Sequence, residues 1–190
     1  MKTLFCLLTL CLVLCGCNST KSSNSVPNFA VVDAKIGVYR GAEPLSGGWN
    51  YLVSLGVSNV VKLNTEAEGT DAQATAIGMK VNRFPFTTEE QLVGPLDDAK
   101  VKAFDVKVKA AVAAITAGTF IHCGSDSRSD TNSLAFRFGT QGGQDRTGLI
   151  CALYRVKTGW TKPAAEEEML RMGFHKSLHG LHEYWEKASP

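Results

Sequence analysis

Two short segments of the sequence hold side chains suited to the chemistry of a phosphate ester. The first is His122-Cys123, and the second is Gln141-Gly142-Gly143-Gln144-Asp145-Arg146-Thr147-Gly148. A cysteine thiolate is a strong nucleophile, and a guanidinium binds two phosphate oxygens at once through its planar fork. Glycines let a loop curl so that successive backbone N–H groups converge on an anion. These residue types together favour attack of a thiolate on phosphorus inside a phosphate-binding loop.

The spacing between the two segments complicates this interpretation. With residues 124–140 left out, five residues separate Cys123 from Arg146, but the chain places these seventeen residues directly after the cysteine. The thiolate must lie about 3.5 Å from phosphorus while the amides surround its oxygens. Three interpretations remain open: the insertion loops out, it abolishes catalysis and leaves a binding module, or another residue takes over a role. Arg128 does not restore the spacing, because four residues separate it from Cys123.

The Cys-x5-Arg-Thr pattern resembles the phosphate loop of the cysteine-dependent protein tyrosine phosphatase superfamily, in its compact dual-specificity branch. Two upstream stretches are also similar to the openings of small bacterial and fungal members: Val38-Tyr39-Arg40-Gly41-Ala42-Glu43-Pro44 and Val60-Val61-Lys62-Leu63-Asn64. The resemblance covers residues 28–190. It implies a single α/β domain whose central sheet of about five mostly parallel strands is flanked by helices.

The resemblance also implies a role for each residue of the loop. Cys123 would form a cysteinyl-phosphate that water then hydrolyses, and Arg146 would clamp the phosphate. Thr147 would assist release of phosphate from the cysteine, and His122 would support the loop through its ring nitrogens. Four further residues would bind the phosphate: Gln141, Gly142, Gly143 and Gln144. The family's reaction uses no metal and no other cofactor, so none is expected.

A general acid is needed to protonate the departing oxygen. Many relatives carry an aspartate after the strand that is predicted to end at Phe86, but Pro85-Phe86-Thr87-Thr88 holds none. Asp145 is the favoured candidate because the motif itself positions it, as in relatives whose loop reads Cys-x-x-Gly-x-Asp-Arg. Four other candidates lie shortly after Phe86 in the sequence: Glu89, Glu90, Asp97 and Asp98. The two glutamates are typical of a solvated turn and the two aspartates of a helix N-cap.

Other reactive residues have simpler interpretations. His175, His179 and His182 are spaced to share one helix face, so a metal-dependent hydrolase is a rival hypothesis. Glycines interrupt that helix, and ordinary surface positions are therefore expected. Cys151 lies in an apolar run and is predicted to be a small buried side chain.

The amino terminus predicts export and lipidation. Lys2 precedes an apolar run of about eleven residues, shorter than the roughly twenty needed to cross a bilayer. The run ends in Leu14-Cys15-Gly16-Cys17, which resembles a bacterial lipobox with residues 1–16 as signal peptide and Cys17 as the acylated residue. A plain signal peptide is the alternative. Polar residues 17–27 predict a flexible spacer, so the domain of residues 28–190 is expected on a lipid anchor in the bacterial cell envelope, at the outer membrane facing the periplasm.

Periodicity predicts the elements that would position the loop. Strands are predicted at residues 29–32, 36–39, 57–63, 79–86 and 119–121, and helices at 47–55, 71–77, 97–117, 147–156, 163–172 and 179–187. The longest helix carries one apolar face, formed by Val101, Phe104, Val108, Val112 and Ile115. The last strand ends at His122-Cys123 and a helix follows the motif, which is an arrangement that binds anions.

Composition narrows the choice of partner. The 190 residues carry 20 Lys and Arg against 18 Asp and Glu, and a net charge of +2 argues against nucleic acid. Membrane contact is expected through the lipid anchor only, and the oligomeric state is not predicted. Gln144 stands where relatives that act on phosphoinositides often carry a lysine. A phosphorylated protein is the default substrate, and the envelope location keeps a small phosphate monoester open as well.

Overall fold

The computed structural model describes residues 25–95, 97–124 and 142–188. Several predictions fall outside this part of the chain: the leader, the acylated Cys17, most of the spacer, the insertion beyond Gly124, and Gln141. Within the described ranges, no helix has the length and apolar character that crossing a membrane requires.

Five strands form one sheet in the order β1-β2-β5-β3-β4. The strands are β1 (Ala30–Asp33), β2 (Val38–Gly41), β3 (Asn59–Lys62), β4 (Lys80–Arg83) and β5 (Thr119–His122). The pair β1 and β2 is antiparallel, and the other pairs are parallel. The mostly parallel, five-stranded sheet expected from the sequence is therefore confirmed.

Seven α-helices in the described ranges cover the two faces of the sheet. They are α1 (Gly48–Ser54), α2 (Ala72–Ala76), α3 (Thr88–Leu92), α4 (Asp98–Ala113), α5 (Asp145–Lys157), α6 (Lys162–Arg171) and α7 (His179–Lys187). Neighbouring strand residues alternate between two apolar clusters: Val61 and Ile121 belong to the larger one, and Val60 and Phe120 to the smaller. This alternation places a core on each side of the sheet.

Two of the predictions about helices are wrong. The turn predicted at Glu89 and Glu90 is the helix α3, because Thr87 and Glu90 cap its first turn reciprocally, with N–H to oxygen distances of 2.7 and 3.2 Å. Val101 is 49% exposed although the pattern places it inward. It lines an open groove of about 800 Å³ between α4, α5 and α7, so its neighbours cover it on one side only. The predicted cap at Asp97 is present, since its carboxylate accepts the N–H of Lys100 at 2.8 Å.

The carboxyl ends of three strands meet at one edge of the sheet. The last residues of β2 and β3, Gly41 and Lys62, both lie in register with His122 at the end of β5. Cys123 is the next residue along the chain, and α5 begins at Asp145 beside it. The carboxyl edge of a parallel sheet is where α/β proteins bind their ligands, and the predicted chemistry lies there.

Candidate active site

The two halves of the predicted phosphate loop are brought together across the insertion. The backbone N–H of Gly143 donates to the carbonyl oxygen of Cys123 at 3.0 Å. With residues 124–140 left out, Gly143 is the third residue after Cys123, so this is the hydrogen bond that closes an ordinary four-residue turn. A Cβ added at Gly142 would lie 2.6 Å from the carbonyl oxygen of Gly124. Gly124 and Gly142, the described residues on either side of the gap, are therefore in close contact.

The segment that follows β2 supports the loop from outside. The Arg40 side chain is 2% exposed, and its Nη2 donates to the carbonyl oxygen of Gly143 at 2.7 Å. The backbone N–H of Glu43 donates to the carbonyl oxygen of Gly124 at 2.8 Å. Gly143 has a φ of 79°, and any Cβ there would collide with the backbone of Gly41. Glycine is thus required at this position for both its backbone conformation and its close approach to β2.

Arg146 lies beside the cysteine and is held by a glutamate from another part of the chain. Its Nη2 would lie 3.2 Å from a Cβ added at Gly124, the residue after Cys123. Glu68 accepts two hydrogen bonds from the guanidinium, with Nη2–Oε1 and Nη1–Oε2 distances of 2.7 and 3.0 Å. Burial by itself would lower the pKa of Arg146, but the charges of Cys123 and Glu68 outweigh burial and raise it. A guanidinium has five N–H donors, so donors remain for a phosphate after Glu68 has taken two.

Glu68 is a site residue that the sequence motifs do not indicate. It lies in a short 3₁₀ helix, Glu66–Glu68, in which Thr65 and Glu68 cap each other. Burial alone would raise the pKa of Glu68, whereas the hydrogen bonds and charge of Arg146 lower it overall. The capping pattern Thr-x-x-Glu is visible in the sequence, but it predicts a turn and gives no hint of a partner 78 residues away.

Asp145 begins α5 and is fastened to the connection between α6 and α7. Its Oδ1 accepts the backbone N–H of His175 at 2.7 Å and lies 3.1 Å from the Nδ1 of the same histidine. Burial raises the pKa of Asp145, and these contacts with His175 offset that effect only in part. The carboxyl group is therefore more easily protonated than an exposed aspartate.

A buried layer of charged side chains lies under the loop. The Nε2 of His122 is 3.2 Å from the Oδ1 of Asp71, and the Nζ of Lys62 is 3.4 Å from the Oδ2. All three side chains are fully buried. The His122 ring also stacks on Phe120 and meets the edge of Trp49. The sequence predicts His122 as the support of the loop, and the structure places its ring against Asp71.

The remaining predicted site residues have distinct environments. Thr147 is fully buried in the first turn of α5, and its hydroxyl oxygen has no partner among the residues that the structure describes. The side chain of Gln144 packs against Gly173. Cys151 is buried as predicted, and burial raises the pKa of its thiol to about 11. Both Cys123 and Cys151 are free thiols.

The alternative acids and the histidines are engaged elsewhere. Glu89 and Glu90 pair with lysines of α4 at 3.0 and 2.7 Å. His182 lies near Glu186 and Glu166, whereas His175 contacts Asp145. The histidines that share a spacing in the sequence thus contact different partners in the structure.

No protein-family model matches the sequence, and no curated protein matches it either. Several solved structures do. TpbA from P. aeruginosa is 24% identical, with 88% of this chain and 92% of that chain covered and a TM-score of 0.53. The core catalytic domain of the PP-IP phosphatase SIW14 from S. cerevisiae is 18% identical, with coverages of 86% and 87% and a TM-score of 0.55.

A third match is PTPMT1 in complex with PI(5)P, at 19% identity, coverages of 84% and 95%, and a TM-score of 0.50. These neighbours are cysteine-dependent tyrosine and dual-specificity phosphatases. At such identities the likeness concerns the architecture, and the chain has the fold of these phosphatases.

Proposed function

We propose that this domain hydrolyses phosphate monoesters through a cysteinyl-phosphate intermediate. The observation that carries the proposal is that the Gly143 N–H closes the turn onto the carbonyl oxygen of Cys123, with the Arg146 guanidinium beside Gly124 at the same point. A nucleophilic sulfur, a fork of N–H donors and a helix N-terminus then lie near one another at the carboxyl edge of the sheet. This is the set of groups that attack on phosphorus requires.

The proposed reaction has two steps. The Cys123 thiolate attacks phosphorus and forms an S–P bond while the bond from phosphorus to the ester oxygen breaks, and Asp145 gives its proton to that oxygen. Water then attacks phosphorus, the S–P bond breaks, and Asp145 takes a proton from the water. The products are an alcohol or phenol and inorganic phosphate, and the thiolate is restored. Arg146 and the loop amides stabilise the charge on the equatorial oxygens in both steps.

The role of Asp145 is tested by leaving groups of different basicity. Asp145→Asn is expected to lower kcat/KM, which reports only the first step, by about 10²-fold for phosphotyrosine, because the phenolate needs a proton, and by less than about threefold for p-nitrophenyl phosphate. The measurement is steady-state kinetics with both substrates. Asp97→Asn is the control, since asparagine also caps a helix and should leave both rates unchanged. Equal losses with the two substrates would exclude Asp145 as the acid.

Two kinds of substrate fit the proposal. A structure of TpbA holds phosphotyrosine and the PTPMT1 structure holds a phosphoinositide, and both ligands are phosphate monoesters. Gln144 contributes no positive charge to the loop of this chain, which favours a phosphorylated protein or a small monoester over a highly charged inositol phosphate.

The insertion favours a second candidate function, that of an inactive phosphate-binding module. Deleting residues 124–140 joins Cys123 to Gln141 and separates the two candidates. Because the turn is already closed across the insertion, the intact chain is expected to hydrolyse p-nitrophenyl phosphate with a kcat/KM within about tenfold of the deletion variant. The control is the deletion variant carrying Cys123→Ser. Activity that appears only after the deletion would identify the natural chain as the inactive module.

A further inference from the structure

The carboxyl group of Glu43 also lies beside the loop, and no cation pairs with it among the described residues. The Oε2 of Glu43 is buried, with no hydrogen-bond partner among the described residues. The carboxyl group packs directly on Gly69, where any Cβ would overlap it. The backbone N–H of Thr70 faces the same group. Glu43 is half-buried and lies between the segment after β2 and the segment that leads from the 3₁₀ helix to α2.

The charges around Glu43 do not balance if it is ionised. Among the described residues, Lys62 lies 3.1 Å from Glu66 and 3.4 Å from Asp71, and Arg83 pairs with Glu66 at 3.1 Å, which leaves two cations for three carboxylates. The Nζ of Lys62 also donates to the carbonyl oxygen of Gly69 at 2.6 Å. His122 faces Asp71 from β5. Glu43 would thus be a third carboxylate around a lysine already engaged with two, in a place where water does not reach Oε2.

These surroundings favour the neutral form of Glu43. Burial and the negative charges of Asp71 and Glu66 outweigh the charge of Lys62 and the Thr70 N–H, and together they raise the pKa of Glu43 to about 7. Because the pKa is raised on folding, the neutral form stabilises the fold at low pH. This contribution is complete below the unfolded-state value of about 4.5 and is lost as the pH rises through about 7.

Glu43 touches both halves of the candidate site. Its backbone N–H holds the carbonyl oxygen of Gly124, next to Cys123. Its side chain packs on Gly69, which follows Glu68, the residue that holds Arg146 through two hydrogen bonds. A change in the charge of Glu43 would therefore act on Glu68 and Arg146 through the segment of residues 65–71.

We infer that Glu43 is a positioning residue whose bound proton keeps Glu68 and Arg146 in place for an oxyanion. With the proton present, the segment of residues 65–71 closes on a neutral carboxyl group. Without the proton, Glu43 and Asp71 repel each other and the segment moves outward. The two hydrogen bonds from Arg146 to Glu68 are then weakened. The inference rests on the proposed function, because it concerns the same oxyanion site.

The test is the pH dependence of tungstate binding by the full chain carrying Cys123→Ser, so that the ionisation of the thiol plays no part. Tungstate keeps its double negative charge across the range from pH 6 to pH 8.5. Its affinity is expected to fall by about fivefold over that range, since linkage allows at most about tenfold per pH unit for one proton. Adding Glu43→Gln, which mimics the neutral carboxyl group, should make the affinity independent of pH and equal to the parent's value at pH 6.

A control and a second measurement make the result decisive. Glu183→Gln removes a carboxylate from the exposed face of α7 and should leave the pH dependence unchanged. Thermal melting of Glu43→Gln should match the parent near pH 5 and exceed it at pH 8.5. The same pH dependence in Glu43→Gln as in the parent would overturn the inference while leaving the proposed function intact. Absence of tungstate binding at every pH would instead overturn the proposed function and the inference with it.

Discussion

Replacing Cys123 with serine is expected to abolish hydrolysis of p-nitrophenyl phosphate, lowering kcat/KM by about 10⁴-fold or more, because a hydroxyl is a far weaker nucleophile than a thiolate. Cys123 is 3% exposed at the end of β5, and serine fits the same space. The fold and the affinity for tungstate should therefore remain. The measurements are steady-state kinetics and a tungstate titration on the same preparation.

Cys151→Ala is the matched control for this loss. Cys151 is the other free thiol in the described ranges, and the pKa of about 11 that burial imposes on it keeps it protonated. Its replacement should change kcat/KM by less than about threefold, since it neither attacks phosphorus nor touches the loop. Activity that survives Cys123→Ser and is lost on adding a chelator would contradict the proposal and support the metal-dependent alternative.

Replacing Arg146 with lysine is expected to lower kcat/KM by about 10³-fold although the positive charge is kept. An ammonium group has three N–H donors, so it cannot donate two hydrogen bonds to Glu68 and also present two N–H groups to a phosphate. Both the affinity for tungstate and kcat should fall, because the proposed mechanism requires the guanidinium to contact the oxyanion in the ground state and in the transition state. Kinetics together with a tungstate titration separate these two contributions.

Arg155→Lys supplies the comparison for that variant. Arg155 also forms a two-point pair, with Glu168 of α6 at 2.9 and 2.7 Å, and it stacks on Trp160 away from the loop. The substitution should lower the melting temperature slightly and leave kcat/KM unchanged. If Arg155→Lys reduced activity as much as Arg146→Lys, the effect of the latter would reflect stability, and the assigned role of Arg146 would be wrong.

The sheet could be predicted from the sequence because its signals are local, and the two segments of the candidate loop are recognisable for the same reason. The central parallel strands β3 and β5 are buried and short, and Cys123 and Arg146 belong to segments of eight residues or fewer. The apolar face of α4 was predictable in the same way, with Phe104, Val108 and Val112 buried. Val101 departs from this pattern because periodicity reports which face of a helix a residue occupies and not how far the neighbouring helices extend.

The supports of the site could not be predicted, because each depends on contacts between distant parts of the chain. Glu68 is 78 residues from Arg146, and Arg40 is 103 residues from Gly143. In sequence, Glu43 resembles an ordinary acidic residue before a proline. Its environment depends on Gly69 and Asp71, which approach it only when β2 and β3 lie in one sheet. Buried charge of this kind has no signature in composition or periodicity.

The contact between Gly124 and Gly142 has a consequence for how the loop tolerates changes in the chain. Since Arg40 and the Glu43 N–H hold the loop from the neighbouring segment, its curvature does not depend on an unbroken backbone between the two glycines. The length-dependent part of the entropic cost of closing seventeen residues is about 2.5 kcal/mol, below the usual stability of a domain. The chain between Gly124 and Gly142 can therefore change in length without changing the curvature of the loop. New chain termini could be placed there by circular permutation, and residues could be gained there during evolution.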